Sequence, residues 1–179
     1  MYDDSQVFQL IKEFLQMKLL ASIYHLLLKH HLKEKRREYL KKFDIDPTVR
    51  LPYLENTWFH GNIHIGKNTY FNGGRIVTGP KSKVVIGEWC AIGHNVNIIA
   101  WTHDTEESTG PMNKRPTIEK DIRIGNHVWV GTNVFIREGV TIGDNSIIGA
   151  NSLVINDVEG NSIVGGVPAR LIKYKNESA

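Results

Sequence analysis

Aliphatic residues fall at every sixth position through the second half of this chain: Ile124, Val130, Ile136, Ile142, Ile148 and Val154. Gly follows at 125, 131, 143 and 149, and a small or β-branched residue sits two places before each next aliphatic: Val128, Val134, Val140, Ser146, Ser152 and Val158. Neither the helical period of 3.6 nor the strand period of 2 generates this pattern. It fits a chain coiling into a triangular prism, each hexad supplying one short strand and one corner. The aliphatic then points inward, the small residue fits under the corner, and Gly is read as relieving backbone strain there. The fold class is therefore mainly β, and every interruption of the repeat becomes a candidate functional site.

Upstream, Ile86, Ile92 and Ile98 continue the rule, with Gly87 and Gly93 behind them and Cys90, Val96 and Thr102 in the small slots. Phe59, Ile65, Phe71 and Val77 form an earlier set, with Arg75 and Lys81 in two of its small slots. Residues 83–85 shift the register by three, residues 104–117 interrupt it, and Ile118 is read as rejoining a coil that runs to about Glu159. Three hexads make one coil, so the repeat predicts between four and five coils, enough stacked apolar surface for a core without disulfides.

Charge and cysteine content narrow the function classes. Of 22 Lys/Arg and 19 Asp/Glu, residues 1–50 hold 10 and 7, leaving 12 of each for the repeat region. A neutral repeat region argues against nucleic acid as its partner. Cys90 is the single cysteine, so no intramolecular bridge forms, and its place in a small slot reads as buried filler ahead of a nucleophile. The first residues are acidic and no small-residue cleavage site follows an apolar stretch, so the expectation is a cytoplasmic protein.

The N-terminal segment is a different object. From Val7 to Phe43 there is no Gly or Pro, and Val7, Leu10, Ile11, Phe14 and Leu15 recur at helical spacing. No window approaches the roughly 20 apolar residues needed to span a bilayer. From Lys29 to Lys42 the segment turns basic, with Lys29, Lys33, Lys35, Arg36, Arg37, Lys41 and Lys42 against Glu34 and Glu38. One reading, the favoured one, is a helix or helical hairpin whose apolar side packs on its own assembly. The other is peripheral attachment to the inner face of an anionic membrane. Asp44, Asp46, Pro47 and Pro52 mark a linker. The predicted organisation is an N-terminal helical segment and linker over 1–50, the repeat domain over 51–173 with its loop at 104–117, and a tail at 174–179.

The interruption at 104–117 is polar and punctuated by Gly110, Pro111 and Pro116, so it reads as a loop thrown out from a corner. His103 stands at its base. A prism side is rigid, a loop leaving it walls a cleft, and an imidazole fixed there is placed to take a proton near neutral pH. From spacing alone, a solvent-facing or loop-bonded His without chemistry is an equal reading.

Trp101-Thr-His103-Asp104, Ile124-Gly-Asn-His-Val-Trp129-Val-Gly131, Gly139-Val-Thr-Ile-Gly-Asp-Asn145, and Ile148-Gly-Ala-Asn-Ser-Leu-Val154 through Gly166-Val-Pro-Ala-Arg170 carry a resemblance. Over residues 56–173 the chain resembles the hexapeptide-repeat acyltransferases, in the branch of galactoside and maltose O-acetyltransferases and enzymes that acetylate surface polysaccharides. The resemblance implies a left-handed parallel β-helix of hexapeptide repeats, an exception to the usual right-handed crossover. It implies a homotrimer with sites between neighbouring subunits and acetyl-CoA as co-substrate, with no metal in the chemistry. His103 matches the family's general base, which takes a proton from an acceptor hydroxyl as that oxygen attacks the thioester.

Further positions carry over on the same resemblance. Asn72 lines up with an Asn that contacts the acceptor, its alternative being a corner Asn tolerating an awkward backbone angle. Trp129 matches a Trp beside the acetyl-CoA site. Thr132, Ala150 and Asn151 fall where the pantetheine arm runs, and Arg170 matches a basic residue near the nucleotide end, with Lys173 or Lys175 available to phosphates. Two departures stand: Ile155 and Asn156 replace polar positions of galactoside-type enzymes, and the helical first 50 residues are unlike theirs. The function expected is acetyl transfer to a hydroxyl of a sugar or surface-polysaccharide building block.

Other functions compete with that expectation. An N-acetyltransferase acting on an amino sugar or nucleotide sugar can use the same base, and a non-catalytic trimeric scaffold has the same repeat. Serine O-acetyltransferases differ in N-terminal domain and His context, and antibiotic acetyltransferases in their loop. A γ-type carbonic anhydrase would need closely spaced zinc imidazoles, but after His103 the next His is His127, and residue 108 is Ser.

Overall fold

The computed structural model describes residues 4–104, 111 and 116–175, with side chains from residue 12 onward. It divides into two compact units, Met1–Glu38 and Tyr39–Ala179. A single helix, α1 (Asp4–Lys42), takes up all of the described part of the first unit, so the N-terminal segment is one helix and not a hairpin. Its apolar side chains Phe14, Leu15, Met17, Leu19, Leu20, Ile23, Tyr24, Leu26 and Leu27 are all exposed.

The second unit is a parallel β-helix of about five turns. The first turn holds β1 (Asp44–Ile45) and β2 (Thr57–His60), with Arg50 between them bridging in parallel to Tyr70 on the second side. The second holds β3 (Asn62–Ile65), β4 (Tyr70–Phe71) and β5 (Gly74–Val77), and the third holds β6 (Lys83–Ile86), β7 (Ala91–Ile92) and β8 (Val96–Ile99). Strands β9 (Trp101–His103) and β10 (Thr117–Glu119) leave the prism as an antiparallel pair. The coil resumes with β11 (Ile122–Ile124), β12 (Trp129–Val130) and β13 (Phe135–Ile136), then β14 (Thr141–Ile142), β15 (Ile147–Ile148) and β16 (Leu153–Val154). Strand β17 (Ser162–Gly166) continues one side, and β18 (Ala169–Tyr174) folds back on it antiparallel. The first face is β1-β3-β6-β11-β14, the second β4-β7-β12-β15-β17-β18, and the third β2-β5-β8-β13-β16.

Three interior columns hold this together. Ile45, Ile65, Ile86, Ile124 and Ile142 stack on the first face. Phe71, Ile92, Val130, Ile148 and Val164 stack on the second. Phe59, Ile76, Ile98, Ile136 and Val154 stack on the third. All fifteen are buried, and each contributes about 1.5–3 kcal/mol by leaving water. At the first end Tyr39 stacks on Phe59 at 5.1 Å, with Phe43 and Phe71 edge-on to the same ring at 5.9 and 5.2 Å. That aromatic plug covers an end that no further coil covers.

Four expectations need correction. Ile76, not Val77, is the stacked residue of β5, because the Gly73–Gly74 corner is one residue short and both glycines lie at positive φ (100° and 128°). Ile118 lies in the antiparallel stem, and the interior column resumes at Ile124. Asp44 and Ile45, read as linker, already pair with β3. The hexad glycines do not relieve strain: at Gly93, Gly125, Gly131 and Gly143 the φ is ordinary, and an added Cβ would meet the next coil at 2.1–2.8 Å. The left-handed backbone falls two residues later, at Asn68, Trp89, Asn95, His127, Asn133, Asn145 and Asn151, all at φ 52–59°. Asn suits that conformation, and its side chains ladder from coil to coil: Asn95 donates to Asn133 at 2.9 Å and Asn133 to Asn151 at 3.1 Å.

Candidate active site

His103 ends β9, and its backbone stands opposite Thr117 of β10. The stem is closed beside it by the Asp104 N–H donating to the Pro116 carbonyl at 2.9 Å. Ten loop residues, 105–110 and 112–115, lie outside the described residues, so the extruded loop is seen only through this stem. The ring of His103 is half-buried and sits edge-on to Trp101 at 5.6 Å. Its Nδ1 is enclosed and has no hydrogen-bond partner among the described residues. Buried polar nitrogens are nearly always bonded, and an orphan one costs about 1–3 kcal/mol.

Side chains alternate across a strand pair, so Trp101, His103, Thr117 and Glu119 share one side of the stem. Trp101, Thr117 and Glu119 line a mostly apolar cleft of about 380 Å³ with Trp58, His60, Val77 and Pro80. Glu119 is held by the turn beneath it: its Oε2 accepts the Lys81 N–H at 2.7 Å and the Ser82 hydroxyl at 3.4 Å. A second, more polar cleft of about 490 Å³ is lined by Asn72, Trp58, Arg75, His94 and Asn95. Trp58 belongs to both clefts. Its indole is 52 % exposed and lies nearly parallel to the His60 ring at 6.1 Å.

Asn72 donates its backbone N–H to Ile92 at 3.0 Å, and its φ is not left-handed. The strained-corner alternative for Asn72 is thereby removed, since Gly73 and Gly74 take the positive φ. Thr132, Ala150 and Asn151 lie exposed on the corner between the second and third faces. Asn151 donates its N–H to the Thr132 carbonyl at 2.9 Å, which locks the two coils at that edge. Trp129 stands 55 % exposed on the second face. It is in one outward column with Ile147, Ile163 and Lys173, placing Lys173 about 14 Å along the ladder from Trp129. Arg170 is exposed on β18 and donates to the Ala169 carbonyl at 2.9 Å. Lys175 is committed to Asn145, whose carbonyl its Nζ meets at 3.0 Å, and is therefore the weaker phosphate candidate of the pair.

One chain does not bring these residues together. His103 is on the corner between the third and first faces. Asn72, Thr132, Ala150 and Asn151 are on the corner between the second and third. The outer column Trp58, Arg75, Asn97, Phe135 and Leu153 of the third face separates them. Cys90 is packing: burial pushes its thiol above the usual range, and Sγ donates to the Gly125 carbonyl at 3.1 Å. Sequence reasoning missed Trp58, Trp101 and Glu119. The signal for Trp58 was available, since it alternates with the inward Thr57 and Phe59 in β2.

The Bacterial transferase hexapeptide (six repeats) family matches residues 121–156, the stretch in which the columns are most regular. Galactoside O-acetyltransferase of Escherichia coli (strain K12) is 36 % identical over 134 residues, covering 69 % of this chain and 63 % of that protein. Sophorolipid acetyltransferase of Starmerella bombicola is 43 % identical over 116 residues, covering 65 % of this chain and 44 % of that protein. A solved galactoside acetyltransferase in complex with coenzyme A matches with a TM-score of 0.65 and 37 % identity, over 80 % of this chain and 71 % of that one. The chain belongs to the hexapeptide-repeat acetyltransferase family. It spans less than two thirds of the length of these two curated relatives.

Proposed function

We propose that this protein transfers an acetyl group from acetyl-CoA to a hydroxyl of a sugar or glycoside, with His103 as general base and the active site completed by a neighbouring subunit of a homotrimer. The observation that carries the reading is His103 itself: an imidazole at the foot of an antiparallel stem, beside an aromatic cleft, with one nitrogen enclosed. With Nδ1 enclosed, Nε2 takes the acceptor proton. The acceptor oxygen attacks the thioester carbonyl, the new C–O bond forms as the C–S bond breaks, and the imidazolium returns its proton to the departing thiolate. The products are the acetyl ester and free coenzyme A, and His103 is regenerated.

The coenzyme fits the corner that Thr132, Ala150 and Asn151 form, where short side chains leave a shallow track and Trp129 offers a flat apolar wall. Arg170 and Lys173, further along the second face, supply charge for the phosphates. The relatives with coenzyme A bound and with galactoside in their name support this assignment. Trp58 supports a pyranose acceptor, because the C–H face of a sugar ring stacks on an exposed indole, and Asn72 on one side offers hydrogen bonds to its hydroxyls. The β-helix unit that begins at Tyr39 carries this activity, with the helix before it outside.

His103→Ala tests the proposal. In a thiol-release assay with acetyl-CoA and a panel of glycosides, the variant should lose about 10²–10⁴-fold in kcat. Acetyl-CoA affinity measured by calorimetry should stay within about twofold, since that ligand gains little from the base. Transfer at the wild-type rate would reject the base assignment.

A further inference from the structure

We infer that the N-terminal helix docks this protein onto an anionic membrane surface. Nine large apolar side chains of the described helix are exposed, with Met17 and Leu26 at 68 %. Over residues 14–29 the polar side chains other than Gln16 fall on one stripe, Lys18, Ser22, His25 and Lys29, only about 60° wide at about 100° per residue. Apolar residues take well over half the circumference. That is far more than one flat protein contact covers, and it suits a helix lying with most of its girth among acyl chains. No helix among the described residues is long and apolar enough to cross a membrane, so the fit is to a surface and not to a span.

Charge selects the occupant. Directly after the apolar stretch come Lys29, Lys33, Lys35, Arg36 and Arg37, with His30 and His31 among them, against Glu34 and Glu38. Arg37 bonds Glu34 at 3.0 Å, one charge of each sign, and the cluster keeps its net positive charge. A basic cluster next to an apolar helix face is attracted to acidic lipid headgroups. The same cluster opposes a second copy of this helix, because parallel copies would align like charges. The sequence also denies such a bundle a continuous seam. Phe14, Met17, Ala21, Tyr24 and Leu28 run onto His31 and Lys35, and Leu19, Ile23 and Leu26 run onto His30 and Lys33; a coiled coil needs both seam positions apolar over successive heptads.

This inference is independent of the acyl-transfer reading, and its test reads vesicle binding alone. The full chain is sedimented with phosphatidylcholine vesicles and with vesicles containing one third phosphatidylglycerol, at low and high salt. It should partition about tenfold more strongly onto the acidic vesicles, and the preference should shrink at high salt, where screening is short-ranged. Leu26→Glu with Leu27→Glu should abolish binding to both. Lys29→Glu with Lys33→Glu should remove the acidic preference, and unchanged thermal melts will show that both variants fold. No binding, equal binding to the two vesicle types, or a helix-dependent assembly that Leu26→Glu with Leu27→Glu disperses without any vesicle binding would each overturn the proposal.

Discussion

A stacked indole adds about 0.5–1.5 kcal/mol beyond the area it buries, so Trp58 can be separated from the chemistry by kinetics. Trp58→Ala should raise the acceptor KM about tenfold while kcat at saturating acceptor and the KM for acetyl-CoA stay within about twofold. A fall in kcat at unchanged acceptor KM would place Trp58 elsewhere. Cys90 offers a second residue-level check. Its enclosure and its bond to the Gly125 carbonyl predict alkylation about 100-fold slower in the folded chain than after denaturation. Because burial raises the folded thiol's pKa, the unfolded chain loses that proton first. The thiol's contribution to stability is whole below its ordinary value of about 9 and is lost as pH rises beyond it. Urea unfolding above that pH should therefore show falling stability, less so in Cys90→Ala.

At the scale of one corner, two glycines in the same sequence position make opposite predictions. A Cβ on Gly143 would lie 2.4 Å from the Gly160 backbone nitrogen, whereas on Gly149 its nearest neighbour is the Val164 carbonyl oxygen at 3.4 Å. Gly143→Ala should cost about 2–3 kcal/mol, roughly 5–10 °C in Tm, and Gly149→Ala close to nothing. Thermal unfolding by circular dichroism decides this, and equal Tm shifts would contradict the close-packing account. Asn133 extends the argument to backbone angle. Asn133→Ala should lose about 1–2 kcal/mol from the left-handed φ and the broken ladder, and Asn133→Gly distinctly less.

The repeat made most of this fold legible, because an interior column is nothing more than an aliphatic every sixth residue. Ile124 through Val154 stand where the period puts them. The period failed where a corner changes length. A short Gly73–Gly74 turn moves the inward residue from Val77 to Ile76, and periodicity cannot see one missing residue behind two glycines. Ile118 matched the spacing by arithmetic alone, while its strand pairs with β9 outside the prism. The glycine two places before the left-handed Asn was legible as a letter but not as a cause, since contact between coils is invisible along a single strand of text. His103 was legible as the foot of an interruption. Trp58 was legible only as an outward residue, by its alternation with the inward Thr57 and Phe59, and that alternation does not say what an outward indole contacts.

If the proposed base stands on one prism edge and the proposed coenzyme track on another, the proposed trimer has a testable consequence. If each active site takes His103 from one subunit and the Thr132–Ala150–Asn151 edge from its neighbour, defects in the two halves complement each other in a mixed ring. His103→Ala removes the base, and Ala150→Trp fills the coenzyme edge at an exposed position, so each variant alone should be nearly inactive in thiol release. Refolded together in equal amounts, a random heterologous ring restores both intact halves at about one site in four. Recovered activity near a quarter of wild type is the expected result, with two different affinity tags confirming that mixed assemblies formed. Mixed assemblies without recovered activity would mean that a single chain supplies both halves.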